Sequence, residues 1–179
     1  MEIFASGCYM ERSVLPAAEC DYLLAALAAA PNHGGWAGTR QMLSNQAVRD
    51  LANDGRLLQL AQAALSRPAV PFRATMFAKS AAANWLMRWH QDTALPLASS
   101  LNNPEWTACS QKTGILYAHA PAWALSRVVA LRIHLDASTS DNGPLRVAPG
   151  SHRAGVLTHK SAGRSIGPGV KPRARAPSP

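Results

Sequence analysis

Asn84-Trp85-Leu86-Met87-Arg88-Trp89-His90-Gln91-Asp92-Thr93 is the stretch on which the reading of this chain turns. Trp85 to Gln91 reads as a strand, with Trp, Phe and Met enriched in it and in the stretch Phe72 to Lys79 before it. On a strand, residues i and i+2 point to the same side about 6.5–7 Å apart, so His90 and Asp92 can converge on one ion. One imidazole and one carboxylate suit a first-row metal, and a second histidine from elsewhere would complete a facial triad of the non-haem Fe(II) type. Such a triad leaves three positions open for a bidentate co-substrate and dioxygen. Alone, His-x-Asp is a common pattern. His134-Leu135-Asp136 repeats it in this same chain.

Upstream, the pattern is helical. Pro16 to Ala30 reads as a helix, with Ser13 as its cap, Pro16 in its first turn and a stripe of Leu23, Leu24 and Leu27. Shorter helices are expected over Gln46–Asn53 and Arg56–Ser66, the second stopped by Pro68. After Pro71 the period changes, and Phe72 to Lys79 reads as a strand. Residues 93–124 are expected to be irregular, a candidate lid. Arg127 to Asp136 has the clearest alternation, with Val129, Leu131, Ile133 and Leu135 on one side. Pro144 to Ala148 reads as a short strand and Pro149-Gly150-Ser151-His152 as a turn.

The 179 residues suffice for one domain with a core. The longest apolar block, Leu23 to Ala30, is far short of the roughly 20 residues a bilayer requires, and no basic run precedes it as in a signal peptide. The expectation is a cytoplasmic protein with no membrane partner. Cys8, Cys20 and Cys109 are scattered and odd in number, which speaks for reduced thiols. The net charge of +8 suggests nucleic acid until it is located. Lys160, Arg164, Lys171, Arg173 and Arg175 lie beyond residue 159 with no acidic residue among them. The remainder holds 13 basic and 10 acidic residues, a net +3. The excess belongs to a Gly/Pro-rich end rather than a folded face, so no nucleic-acid partner is expected. Residues 163–179 have almost nothing to bury and are expected to be a disordered basic tail after a domain over 1–162.

Six stretches, in order and at matching spacing, resemble the phytanoyl-CoA dioxygenase family. They are Ala74–Ser80, Asn84–Leu86 with Trp89–Thr93, Leu131–Asp136, Asn142–Val147 and Pro149–Arg153, with weaker likeness at Gly38–Leu43 and Val48–Ala52. The resemblance covers about residues 36–165. It implies a double-stranded β-helix (jelly-roll, cupin-like) with N-terminal helices, an α+β but mainly β fold. It further implies oxidative decarboxylation of 2-oxoglutarate, coupled through Fe(II) and O2 to hydroxylation of a small organic substrate. His90 and Asp92 take the roles of the first two iron ligands, with Gln91 beside the metal. Thr75 and Leu131 or Arg132 fall near positions that contact 2-oxoglutarate, and Lys79 shares the parity of Thr75.

The family's third ligand, a histidine some tens of residues beyond the Pro-Gly-Ser-His turn, and the arginine that follows it have no counterpart after His152. The expectation is therefore a jelly-roll lacking its last strands, with impaired activity. A non-catalytic remnant or binding protein on the same scaffold is the alternative. His134 and His152 are weak substitutes for the missing ligand, better suited to hydrogen bonding and turn fixing. His119 belongs to the candidate lid.

Overall fold

Pro16 starts the first helix by accepting the amides of Glu19 and Cys20 on its carbonyl, at 3.1 Å each. This computed structural model describes residues 6–28, 38–78, 89–139 and 144–157. Helix α1 spans Ala17–Ala28. Ser13 lies in a preceding turn with a positive φ of 56°, so it does not cap the helix as its residue type suggested. Helix α2, Gln46–Ala52, is capped by Asn45, whose side chain accepts the Val48 amide at 3.3 Å. Helix α3, Gly55–Leu65, is capped by Asp54, which accepts the Arg56 amide at 2.8 Å. Both caps satisfy amides that no preceding helical turn can reach. The one-turn spacing of Leu57 and Ala61 puts both in the core.

The described residues fall into two compact units. One holds residues 6–7, 89–129 and 148–157; the other holds 8–28, 38–78, 130–139 and 144–147. In the second unit, α1 to α3 are joined by a minimal antiparallel pair, β1 (Gly38–Thr39) with β2 (Met76–Phe77). Arg56 fastens this unit. Its guanidinium reaches both Glu19 oxygens at 3.0 and 2.8 Å, both Asp54 oxygens at 2.8 Å and the Val14 carbonyl at 3.2 Å.

The first unit holds an antiparallel sheet of β3 (Ala94–Leu97), β5 (Ile115–His119) and β4 (Thr107–Lys112), with β5 in the middle. A short helix α4, Ala122–Leu125, follows. This sheet overturns the expectation that residues 93–124 are irregular. The strands were obscured because β4, Thr-Ala-Cys-Ser-Gln-Lys, is polar and exposed along its whole length. Alternation reveals a strand only when one of its faces is buried. The hairpin turn was obscured as well. Lys112 pairs with Ile115, leaving Thr113 and Gly114 with φ of 51° and 79° as a two-residue loop. Two positive φ values are the mark of a type I′ turn, which Asn-Gly signals far more often than Thr-Gly. A β-branched residue is strained there. Thr113→Asn is therefore expected to stabilise the protein by about 0.5–1 kcal/mol, read as a higher urea midpoint at unchanged slope.

Four strand expectations need correction. Phe72 to Lys79 shrinks to Met76–Phe77 among its described residues, and Trp89 to Gln91 is not in a strand. Arg127 to Asp136 and Pro144 to Ala148 are described throughout and belong to no strand. Alternating side chains establish parity, but a strand also needs a hydrogen-bonded neighbour, and no described segment pairs with these two. The tail expected from residue 163 lies outside the described residues, as do Trp85 to Arg88. The described core is small: Leu23, Met42, Leu57 and Ala61 in one unit, Tyr117, Ala118, Ala120 and Ala124 in the other. Half of these side chains are alanine.

Candidate metal centre

Residues 89–93 lead directly into β3, and that junction is fastened twice. The Thr93 carbonyl accepts the Ala120 amide at 2.9 Å, and the Thr93 hydroxyl lies 2.6 Å from His119 Nδ1. Gln91, two residues earlier, is fastened from a distant part of the chain. Its Nε2 donates to the Gly155 carbonyl at 2.8 Å, and its Oε1 accepts the Leu157 amide at 2.7 Å. The His-Gln-Asp backbone is thus held between β5 and the segment following the Pro-Gly-Ser-His turn.

His90 Nε2 lies 3.8 Å from Asp92 Oδ1. Their side chains are 51% and 79% exposed, and the pair faces water. Cis donors on one first-row ion, at bonds of about 2.1 Å, lie about 3 Å apart, so these two atoms need to close by under about 1 Å to share a cation. The donor set is the mixed imidazole–carboxylate pair that ferrous iron accepts. Among the described residues, no three His, Cys, Asp or Glu side chains gather as a metal site. His90 and Asp92 are a pair of candidate donors.

The other histidines have their own surroundings. His119 is held by Thr93. The His152 ring lies against Gly7, in a short 3-10 turn over Ser151–Ala154. In the second unit His134 has its pKa lowered from the usual 6.5, first by partial desolvation and then by Arg132, with Asp136 opposing. Arg132 is exposed, and Thr75 is half-buried just ahead of β2. Lys79 lies outside the described residues.

Sequence reasoning missed the bond of Gln91 to the Gly155–Leu157 backbone. The glutamine is visible in the motif, but its partners are 64 and 66 residues away and are backbone groups, which leave no residue-type signal. It also missed the pairing of residues 6–7 with the turn at 150–152. The Gly150 amide donates to the Ser6 carbonyl at 2.8 Å.

No helix among the described residues is long and apolar enough to cross a membrane. In comparison with known proteins, the model of the family described as Phytanoyl-CoA dioxygenase (PhyH) matches residues 7–165. No curated protein and no solved structure matches the chain.

Proposed function

The chain belongs to the phytanoyl-CoA dioxygenase family, and from that premise we propose that it is an Fe(II)- and 2-oxoglutarate-dependent dioxygenase that hydroxylates a small organic substrate. The scaffold is of the dioxygenase type, and in this reading its small antiparallel sheets belong to a jelly-roll. The supporting observation is the approach of His90 Nε2 to Asp92 Oδ1, 3.8 Å apart within the matched residues.

In this reading His90 and Asp92 hold the iron. The chemistry that a loaded centre supplies is activation of dioxygen for decarboxylation of 2-oxoglutarate and hydroxylation of a substrate carbon. The chain's own task is to bind and orient. Arg132 and Lys79 are assigned to 2-oxoglutarate carboxylates, where a charge-assisted hydrogen bond is about twice as strong as a neutral one. Thr75 offers a hydroxyl to the same co-substrate. The substrate is a small molecule, and the reading calls on neither nucleic acid nor membrane and places the protein in the cytoplasm. The test is succinate formation with Fe(II), ascorbate and 2-oxoglutarate. Impaired but iron-dependent turnover is expected from the wild-type chain and none from His90→Ala; its absence from both would sink catalysis.

A second reading, a binding protein on the same scaffold, draws on the exposure of both ligands and the lack of a third among the described residues. Binding of 2-oxoglutarate with iron but without succinate formation would favour it.

A further inference from the structure

We infer that Gln91 is a positioning residue: its amide, locked to Gly155 and Leu157, sets the geometry of the metal-binding pair and couples metal binding to the order of that segment. The inference rests on the reading of His90 and Asp92 as metal ligands and goes beyond it, since it assigns Gln91 work at a distance from the ion.

The argument starts from exposure. His90 and Asp92 are half and more than three-quarters open to water, so packing restrains neither side chain strongly. The backbone that carries them is therefore one of the restraints that keep them within reach of one ion. The peptide units on either side of Gln91 belong to His90 and Asp92, so fixing Gln91 limits the dihedral freedom of both neighbours. Downstream, Thr93 is already tied to Ala120 and His119. Upstream of Thr93, the Gln91 amide crosses to a distant segment of the same unit.

The chemistry of that amide is selective. Gly155 presents a carbonyl and Leu157 an N–H, the two groups that a neighbouring strand would pair. A partner must donate to one and accept from the other at the same time. A carboxylate can only accept and an ammonium or guanidinium can only donate, whereas a primary amide does both. Leu157 is half-buried, so removing its acceptor leaves an amide poorly served by water. Asparagine has the right group but is one methylene short of spanning both contacts. The same amide retains one N–H and one lone pair, so the contact does not exhaust Gln91.

The experiment uses the full chain with Co(II) alone under nitrogen, read by titration calorimetry and by the visible Co(II) absorption band. Hydrogen exchange is followed in peptides covering residues 150–157. Gln91→Met, which keeps length and loses both hydrogen bonds, is expected to weaken Co(II) binding about 10–100-fold and to alter the absorption band. Gln91→Asn should do the same if the methionine variant folds poorly. Gly114→Ala, at the hairpin tip of the same unit, destabilises without touching the motif and should leave Co(II) affinity and band unchanged. In the wild type Co(II) should slow exchange at 155–157, and in Asp92→Ala it should not. Equal Co(II) affinity in wild type and both Gln91 variants overturns the inference alone. Failure of the wild type to bind Co(II) overturns the metal reading, and the inference with it. In that case Gln91-dependent exchange at Leu157 would show that the clamp itself is real.

Discussion

Replacing Gly7 with alanine is expected to cost roughly 2–5 kcal/mol of stability, from a left-handed backbone penalty of about 1–2 and an overlap penalty of about 1–3. Gly7 has a φ of 76°, which an L side chain rarely adopts. A Cβ built there would lie 2.1 Å from Nδ1 of His152 and 2.7 Å from its Cγ. The Cγ contact matters because it belongs to the root of the ring, so relief requires turning the whole His152 side chain. The two penalties can be separated. In a His152→Ala background the overlap is gone, and Gly7→Ala should then cost only the backbone term, about 1–2 kcal/mol. Urea denaturation of the four proteins of this cycle measures the difference. Equal cost in both backgrounds would show that His152 yields freely. The outcome bears on the metal pair, because residues 150–154 lead into the segment that Gln91 grips.

Arg56→Met is expected to lower the melting temperature by several degrees and to reshape the acid limb of stability. The guanidinium joins Glu19 on α1, the Asp54 cap of α3 and the Val14 carbonyl, so its loss leaves two carboxylates facing each other without a cation. Hydrogen bonding from the Arg56 side chain first, and from its backbone amide second, lowers the Asp54 pKa from 3.8 to about 2. A lowered carboxylate pKa stabilises the fold above the unfolded value of 3.8, and the benefit disappears as pH falls towards 2. Wild-type melting curves should therefore weaken across that window. In Arg56→Met the dependence should shrink, keeping only the part owed to the backbone amide. Because the cluster is partly exposed, 1 M salt should narrow the gap between the two proteins. An unchanged acid limb in the variant would remove Arg56 as its cause.

The helices could be read from residues alone because their signals are local, as in the spacing of Leu57 and Ala61 and the stop at Pro68, although the caps Asn45 and Asp54 went unread. The strands could not. Arg127 to Asp136 alternates well yet has no described partner, while β4 alternates poorly yet pairs with β5. Pairing is a property of two segments, and residue pattern reports on one. The same contrast divides the site. His90 and Asp92 are two positions apart, so their closeness is local, although the strand expected to carry them is not formed over its described residues. The roles given to Thr75, Arg132 and Lys79 depend on how distant segments fold, which no local pattern encodes.

The alanine-rich core of the described residues has a practical consequence for finding the substrate. Alanines bury little apolar area, so this part of the fold gains little from burial and a specific binder adds visibly to its stability. A compound at one hundred times its dissociation constant adds about 2.7 kcal/mol to the folded state. For a chain of this size each kcal/mol moves the melting temperature by about 2–4 °C. A library of small organic acids and acyl thioesters, screened by melting temperature with Co(II) and 2-oxoglutarate present, would report the preferred ligand without requiring turnover.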